Sequence, residues 1–377
     1  MAKTIHRQLE DSIVPLLDKG KAVVIYGARQ VGKTTLAQEL AKRYAHVLYK
    51  SCDKAKTAQE LSNQNLDYLI NLTKGYDALI IDEAQKAQNI GNTIKQLVDA
   101  KLPLQIILTG SSSLDLANTI KEPMTGRVFE FKLTPISVVE LQGYQPTLLT
   151  DLSRLLILGS YPEVITSPAG EAEKIIRGIT DQYTFRDILQ LSEIKNIEAL
   201  RRLLTALALQ IGSEVSYNEL SNLLDISREA VERYIWLLEQ SFIIYRLDAL
   251  SGNPRKLISS RKRKVYFYDL GLRNALINDF RSLAERTDVG ALFENFCVNE
   301  RYKHQLNQDH AVQRYYFRAA ANSGEIDLVE MVGAEPKAYE FKWSAGGFRV
   351  PLEFKAKYPG VKVKLVNRDN FLGFVKS

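Results

Sequence analysis

Nine consecutive residues, Gly27-Ala28-Arg29-Gln30-Val31-Gly32-Lys33-Thr34-Thr35, combine two glycines with a lysine and two hydroxyls. Glycines let backbone N–H groups converge on phosphate oxygens at the positive end of a helix. In such a loop Lys33 reaches the β- and γ-phosphates of a nucleotide, and Thr34 offers its hydroxyl to Mg²⁺. Further along, Asp82-Glu83 follow the apolar run Ala78-Leu79-Ile80-Ile81. Two carboxylates at the end of a buried strand need compensation. A Mg²⁺ ion held by Asp82 and an attacking water oriented by Glu83 as base supply it, which makes the chemistry ATP hydrolysis. Thr109-Gly110-Ser111-Ser112-Ser113 add hydroxyls that either sense the γ-phosphate or end a strand, with Ser113 as a helix N-cap.

The elements that must position these groups follow from pattern. Ala22-Val23-Val24-Ile25-Tyr26 is a short β-branched run and predicts a buried strand leading into the glycine loop. Helical spacing resumes from Thr34 to Ala41. Leu104 to Leu108 and Val128 to Lys132 predict two further strands. Strands alternating with helices imply an α/β fold, a parallel sheet covered on both faces, with ligands at the strands' C-terminal ends. Gly126-Arg127 heads the last strand. Arg127 is either a finger reaching a neighbouring subunit's γ-phosphate or a surface charge.

At 377 residues, two or three domains are expected. No apolar run approaches the ~20 residues of a membrane span, and no signal-peptide core opens the chain. Cys52 and Cys297 lie far apart, and none of the four histidines pairs with a cysteine at zinc spacing. The expectation is a reduced, cytoplasmic protein without zinc and without membrane contact. Lysine plus arginine number 50 and aspartate plus glutamate 44. Six of those basic residues, Arg255, Lys256, Arg261, Lys262, Arg263 and Lys264, fall in one acid-free stretch, and without them the count is 44 against 44. A neutral body with one basic patch predicts a localised polyanion contact.

That patch has a context. Ser216-Tyr217-Asn218-Glu219 is a capping box opening a helix to about Leu224, and Ser227 caps a second from Arg228 to Gln240. Phe242 to Leu247 and Lys264 to Tyr268 predict two strands, with the basic stretch between them. This is the layout of a winged helix-turn-helix with a basic wing, where DNA phosphates would be met. Glu229 and Glu232 share the second helix with Arg228 and Arg233, so backbone contact is expected rather than base readout. The other reading is a protein-docking module with a solvated loop.

The last third carries acids. Val289 to Phe296 predicts a helix bearing Glu294, Gly324 to Val329 a strand bearing Asp327, and Ala338 to Lys342 a strand bearing Glu340 and Lys342 on one face. That set matches the PD-(D/E)xK nuclease arrangement, in which carboxylates hold Mg²⁺ and the lysine positions water. Ile326 stands where that pattern has proline. The alternatives are an amphipathic hairpin with a surface ion pair, and a nuclease fold without activity.

The glycine loop, Asp82-Glu83-Ala84-Gln85, Thr109 to Ser112, Gly126-Arg127, Tyr161-Pro162-Glu163 and Val265-Tyr266-Phe267-Tyr268-Asp269-Leu270-Gly271-Leu272-Arg273-Asn274 occur here in one order. In this the chain resembles a large family of bacterial and archaeal AAA-type ATPases with a C-terminal domain of formerly unknown function. The resemblance covers nearly the whole chain. It implies an ATPase domain at 1–145, a helical lid or connector at 146–196, a winged helix-turn-helix at 197–275 and a nuclease-like domain at 276–377. It also implies ATP and Mg²⁺ as cofactors, Lys33 and Thr34 as their contacts, Glu83 as base, and a homo-oligomer. Three functions are expected from different classes: a DNA-translocating or DNA-remodelling ATPase, an ATP-gated Mg²⁺-dependent nuclease, and an ATP switch that docks a protein partner.

Overall fold

The computed structural model describes residues 4–111, 124–181, 196–250, 262–319, 324–333, 335–344 and 346–377. They form two compact units. The first runs to Ile136 and takes back residues 240–242, and the second holds the remainder.

The first unit is built on β1 (Ala22–Tyr26), β2 (Val47–Ser51), β3 (Ala78–Asp82), β4 (Gln105–Gly110) and β5 (Val128–Lys132). All pair in parallel, in the order β2-β3-β4-β1-β5. β1, β3 and β4 are buried along their full length, which is why their sequences are continuous apolar runs. The register sets Tyr26 opposite Gly110 and Ile81 opposite Leu108. The glycine loop and Asp82 therefore leave the same edge of the sheet, on either side of β4. The loop feeds α1 (Lys33–Ala41), whose apolar Leu36, Ala37 and Leu40 are buried.

In the second unit, α2 (Ile197–Leu209) is followed by β6 (Glu214–Ser216), then α3 (Tyr217–Leu224) and α4 (Arg228–Gln240). Ser216 and Ser227 accept N-cap hydrogen bonds from Glu219 N and Ala230 N, as their spacing predicts. Then come β7 (Ile244–Ala249), β8 (Lys262–Phe267), α5 (Leu270–Leu276), α6 (Val289–Asn307), β9 (Gln313–Arg318), β10 (Glu325–Val332), β11 (Glu335–Phe341) and β12 (Val363–Val366). β6 to β12 form one mixed sheet in the order β12-β11-β10-β9-β7-β8-β6.

Two features of the chain tracing lie near the domain boundaries expected from sequence. β7 pairs in parallel with β9, Asp248 opposite Tyr315, so a single sheet runs through the expected boundary at 275. The first compact unit runs to Ile136. Ser137 and Glu140 cap the helix Val138–Tyr144 reciprocally, and Val138 N donates to Glu300 on α6 at 2.7 Å. That helix start is thereby tied to the second unit. The described residues contain no helix long and apolar enough to cross a membrane.

Candidate functional site

The loop after β1 is held open by its backbone. Gly32 adopts φ +96°, a left-handed conformation that leads directly into α1. A Cβ on Gly27 would meet the Leu133 carbonyl oxygen at 2.2 Å, so only glycine lets the loop pass that chain. Lys33, 5% exposed, donates to the Gly27 and Ala28 carbonyls at 3.0 and 2.8 Å. Arg7 was not anticipated from sequence. Its buried guanidinium donates to Val31 O and Thr134 O, each at 2.6 Å, and so fixes the loop from outside. No motif surrounds Arg7, and only the folded chain brings it there.

At the ends of β3 and β4 a hydroxyl shell surrounds Asp82. Thr34 Oγ1 and Thr109 Oγ1 donate to its Oδ1 at 2.8 and 2.5 Å, and Tyr49 OH donates to Oδ2 at 2.9 Å. Tyr49 lies on β2, a strand the sequence reading passed over. Burial and the bond to Asp82 push the Tyr49 phenol up to about 12. Burial, then the Asp82 charge, does the same to the Cys52 thiol. Glu83 takes a left-handed backbone, φ +52°. Gln85 Nε2 donates to its Oε2 at 2.7 Å, Ser111 Oγ does so at 3.2 Å, and Glu83 N donates to Thr109 Oγ1. Ser112 and Ser113 lie outside the described residues. The structure thus brings together Lys33, Thr34, Asp82, Glu83, Thr109 and Ser111.

Arg127 stands elsewhere. Ala22 N, at the start of β1, donates to Arg127 O, which puts Arg127 at the sheet edge opposite the glycine loop. Its guanidinium grips Asp99 in a two-point ion pair at 2.7 and 3.1 Å. It takes no part in its own chain's loop site.

The acids of the second unit converge. One carboxylate oxygen from each of Glu294, Glu325 and Asp327 lies within 4.8 Å of the others. Phe341 N donates to Asp327 Oδ2 at 2.9 Å, so Asp327 reaches the backbone of β11, where Lys342 donates to the neighbouring Glu340 Oε1 at 2.7 Å. Burial pushes the Glu340 carboxyl up to about 7 with help from the Asp327 charge. Burial lifts Glu294 to about 7 as well, against the pull of Lys264. Glu325, two residues before Asp327 on β10, belongs to the cluster although the sequence reading took only Asp327.

The basic patch needs a correction. Lys264 does not face solvent or a DNA phosphate. It is 1% exposed, and its ammonium donates to Glu294 Oε1 at 2.8 Å, pairs with Glu325 Oε1 and lies 3.6 Å from Asp327 Oδ1. Burial opposes its charge, but those three acids hold the ammonium above the ordinary lysine range. Arg263 Nε is paired with Asp248 at 2.8 Å. Lys262 lies on β8 opposite Ser216, and Arg255, Lys256 and Arg261 lie outside the described residues.

Comparison with known proteins points to an ATPase-like domain in the first part of the chain. A family model described as an AAA domain matches residues 19–142. Two models described as domains of unknown function match residues 149–283 and 289–368. An uncharacterized protein of Mycobacterium tuberculosis is 27% identical over 330 residues, 86% of this chain and 71% of that one. An uncharacterized protein of Methanocaldococcus jannaschii is 24% identical, over 79% of this chain and 69% of the other. Among solved structures, the Walker-type ATPase of Pyrococcus abyssi aligns with a TM-score of 0.51 at 14% identity, over 73% of this chain and 96% of that one. At that identity the likeness speaks for the fold alone. The AAA-domain match supports a P-loop ATPase domain at residues 19–142, and the Walker-type neighbour shares its fold.

Proposed function

We propose that the chain is a Mg²⁺-dependent ATP hydrolase whose turnover is coupled to DNA. The observation that carries the hydrolase reading is the hydrogen-bonded row Thr34–Asp82–Thr109 beside Glu83, at the mouth of the Lys33 loop. The donor set fits Mg²⁺, which takes hard oxygen ligands and keeps several of its own waters. Thr34 and Asp82 would hold the ion. When bound it would neutralise charge developing on the phosphate oxygens. Lys33 exchanges its loop carbonyls for β- and γ-phosphate oxygens, and the loop N–H groups cradle them. Glu83, steadied by Gln85 and Ser111, orients the attacking water and accepts its proton.

What supports the DNA half is the basic run Arg255, Lys256, Arg261 and Lys262, which contains no acid. With Lys264 turned inward and Arg263 paired, phosphate contact falls to those four residues and is sensitive to salt. The expected homo-oligomer gives Arg127 a place to act, as a finger on the adjoining copy. The test is the ATPase rate with single-stranded, duplex, forked and four-way-junction DNA, with Lys33→Ala as control. DNA-stimulated turnover that Lys33→Ala abolishes supports the proposal. Turnover indifferent to every DNA overturns the coupling, and absence of turnover overturns the hydrolase.

A second reading, ATP-gated Mg²⁺-dependent cleavage of DNA, is favoured by the convergence of Glu294, Asp327, Glu340 and Lys342. Mg²⁺-dependent cutting lost in Asp327→Ala or Lys342→Ala supports it.

A further inference from the structure

Three carboxylates face Lys264, and a fourth, that of Glu340, stands close enough to feel the charges of Asp327 and Glu294. Glu294 Oε1 accepts from Lys264 and also from Tyr266 OH, at 2.7 Å. Glu325 pairs with Lys264 through one oxygen and with Arg318 through the other. Asp327 turns one oxygen to Phe341 N and the other toward Lys264. Glu340 completes the group. Its Oε1 accepts from Lys342, while its Oε2 is buried with no hydrogen-bond partner among the described residues, in a residue only 5% exposed. A buried carboxylate oxygen left without a donor is costly. It is also the kind of atom a cation would engage. Oxygen donors at this density suit a divalent ion.

Yet the cluster already holds a cation. We propose that Lys264 is the resident cation of this site, its ammonium standing where a divalent metal would stand and keeping one out. This rests on the metal-type reading of the cluster. An ammonium has three donors and no lone pair, so it cannot become a metal ligand. It and a metal compete for the same oxygens of Glu294, Glu325 and Asp327, and at such distances they repel. Lys264 has no alternative site in water. Its side chain is 1% exposed, its stem rises from β8 between β6 and β7, and its ammonium lies 5.7 Å from the centre of the Tyr316 ring. A metal could enter only if β8 or α6 shifted enough to withdraw the amine. The constellation that resembles a nuclease site is therefore closed by the chain itself, and the ATP-gated reading of it requires that shift.

The experiment is Mn²⁺ titration of the full chain by calorimetry, without nucleotide, for wild type, Lys264→Met, Lys264→Gln and each of these combined with Asp327→Asn. Wild type should show no submillimolar site sensitive to Asp327→Asn. Removing the ammonium should create one, tighter by on the order of a hundredfold, since a full charge repelling the metal from a few ångströms away is lost. Asp327→Asn should abolish it again. Thermal melting supplies a second readout: Mn²⁺ should raise the Tm of Lys264→Met and Lys264→Gln and leave wild type unmoved, and variants that fold only with Mn²⁺ present support the proposal equally. If wild type binds Mn²⁺ as tightly as the variants, and Asp327→Asn removes that binding, Lys264 is not the barrier, although the metal-type reading stands. If no form binds Mn²⁺ and none is stabilised by it, the metal-type reading falls and the proposal with it.

Discussion

Asp82 and Asp327 each stand on a buried strand with both oxygens engaged, but by different partners. Asp82 is met by three hydroxyls, from Thr34, Thr109 and Tyr49. Asp327 is met by a backbone N–H and, with Glu294 and Glu325, by an ammonium. A hydroxyl can donate to a carboxylate and still offer a lone pair to a metal. It brings no charge of its own, so a cation arriving beside Asp82 meets no repulsion from it. Lys264 does the opposite on both counts. On the proposed reading, hydroxyls suit the first acidic site to a cation that comes and goes with each nucleotide, and the ammonium gives the second one that is built in.

The heaviest blow to the first site that leaves the second untouched is Arg7→Ala. Two buried carbonyls, Val31 O and Thr134 O, would lose a charged donor, which costs about 4 kcal/mol in total. Denaturant unfolding should show that loss together with weakened ATP binding. Stability unchanged within error would mean the loop does not depend on Arg7.

The second site should reveal itself through pH. Glu294 and Glu340 have native values near 7 against an ordinary 4.5. Between those limits the native carboxyls keep protons that the unfolded chain has already released. Stability therefore falls as pH rises from about 4.5 to about 7, by roughly 3 kcal/mol for one such group. Glu340→Gln should remove its share and flatten that slope, measured by unfolding in EDTA. A slope unaltered by the substitution would deny that Glu340 is buried among like charges.

The smallest expected effect is at Tyr49→Phe. It removes one of three hydroxyls from Asp82 and should cost about 1 kcal/mol, with a few-fold change in the Mg²⁺ dependence of turnover. A loss as large as that for Thr34→Ala would move Tyr49 from a supporting place into the metal shell.

The parts of this account legible in sequence are those where chemistry and local geometry share a short segment. The loop from Gly27 to Thr35, the strand ending in Asp82-Glu83 and the caps at Ser216 and Ser227 each carry their own context. What sequence hid was direction. Lys264 was counted with its basic neighbours because charge density ignores which way a side chain turns. Alternation along β8 held the missing signal: Lys264 and Tyr266, two apart, share a face and both reach Glu294. Glu325 and Asp327 stand two apart on β10 in the same way. Arg7 offered no such hint. Nor could periodicity show that β7 pairs with β9, because that contact joins distant segments into one sheet.

Steady-state ATP turnover by Glu83→Gln, paired with ATP binding by the same protein, decides whether Glu83 serves as the base. Glu83 lies beside the Asp82 shell, with Thr109, Gln85 and Ser111 as its hydrogen-bond partners. ATP should still bind with Mg²⁺ while turnover falls by about a hundredfold or more. Turnover equal to that of the wild type would contradict it.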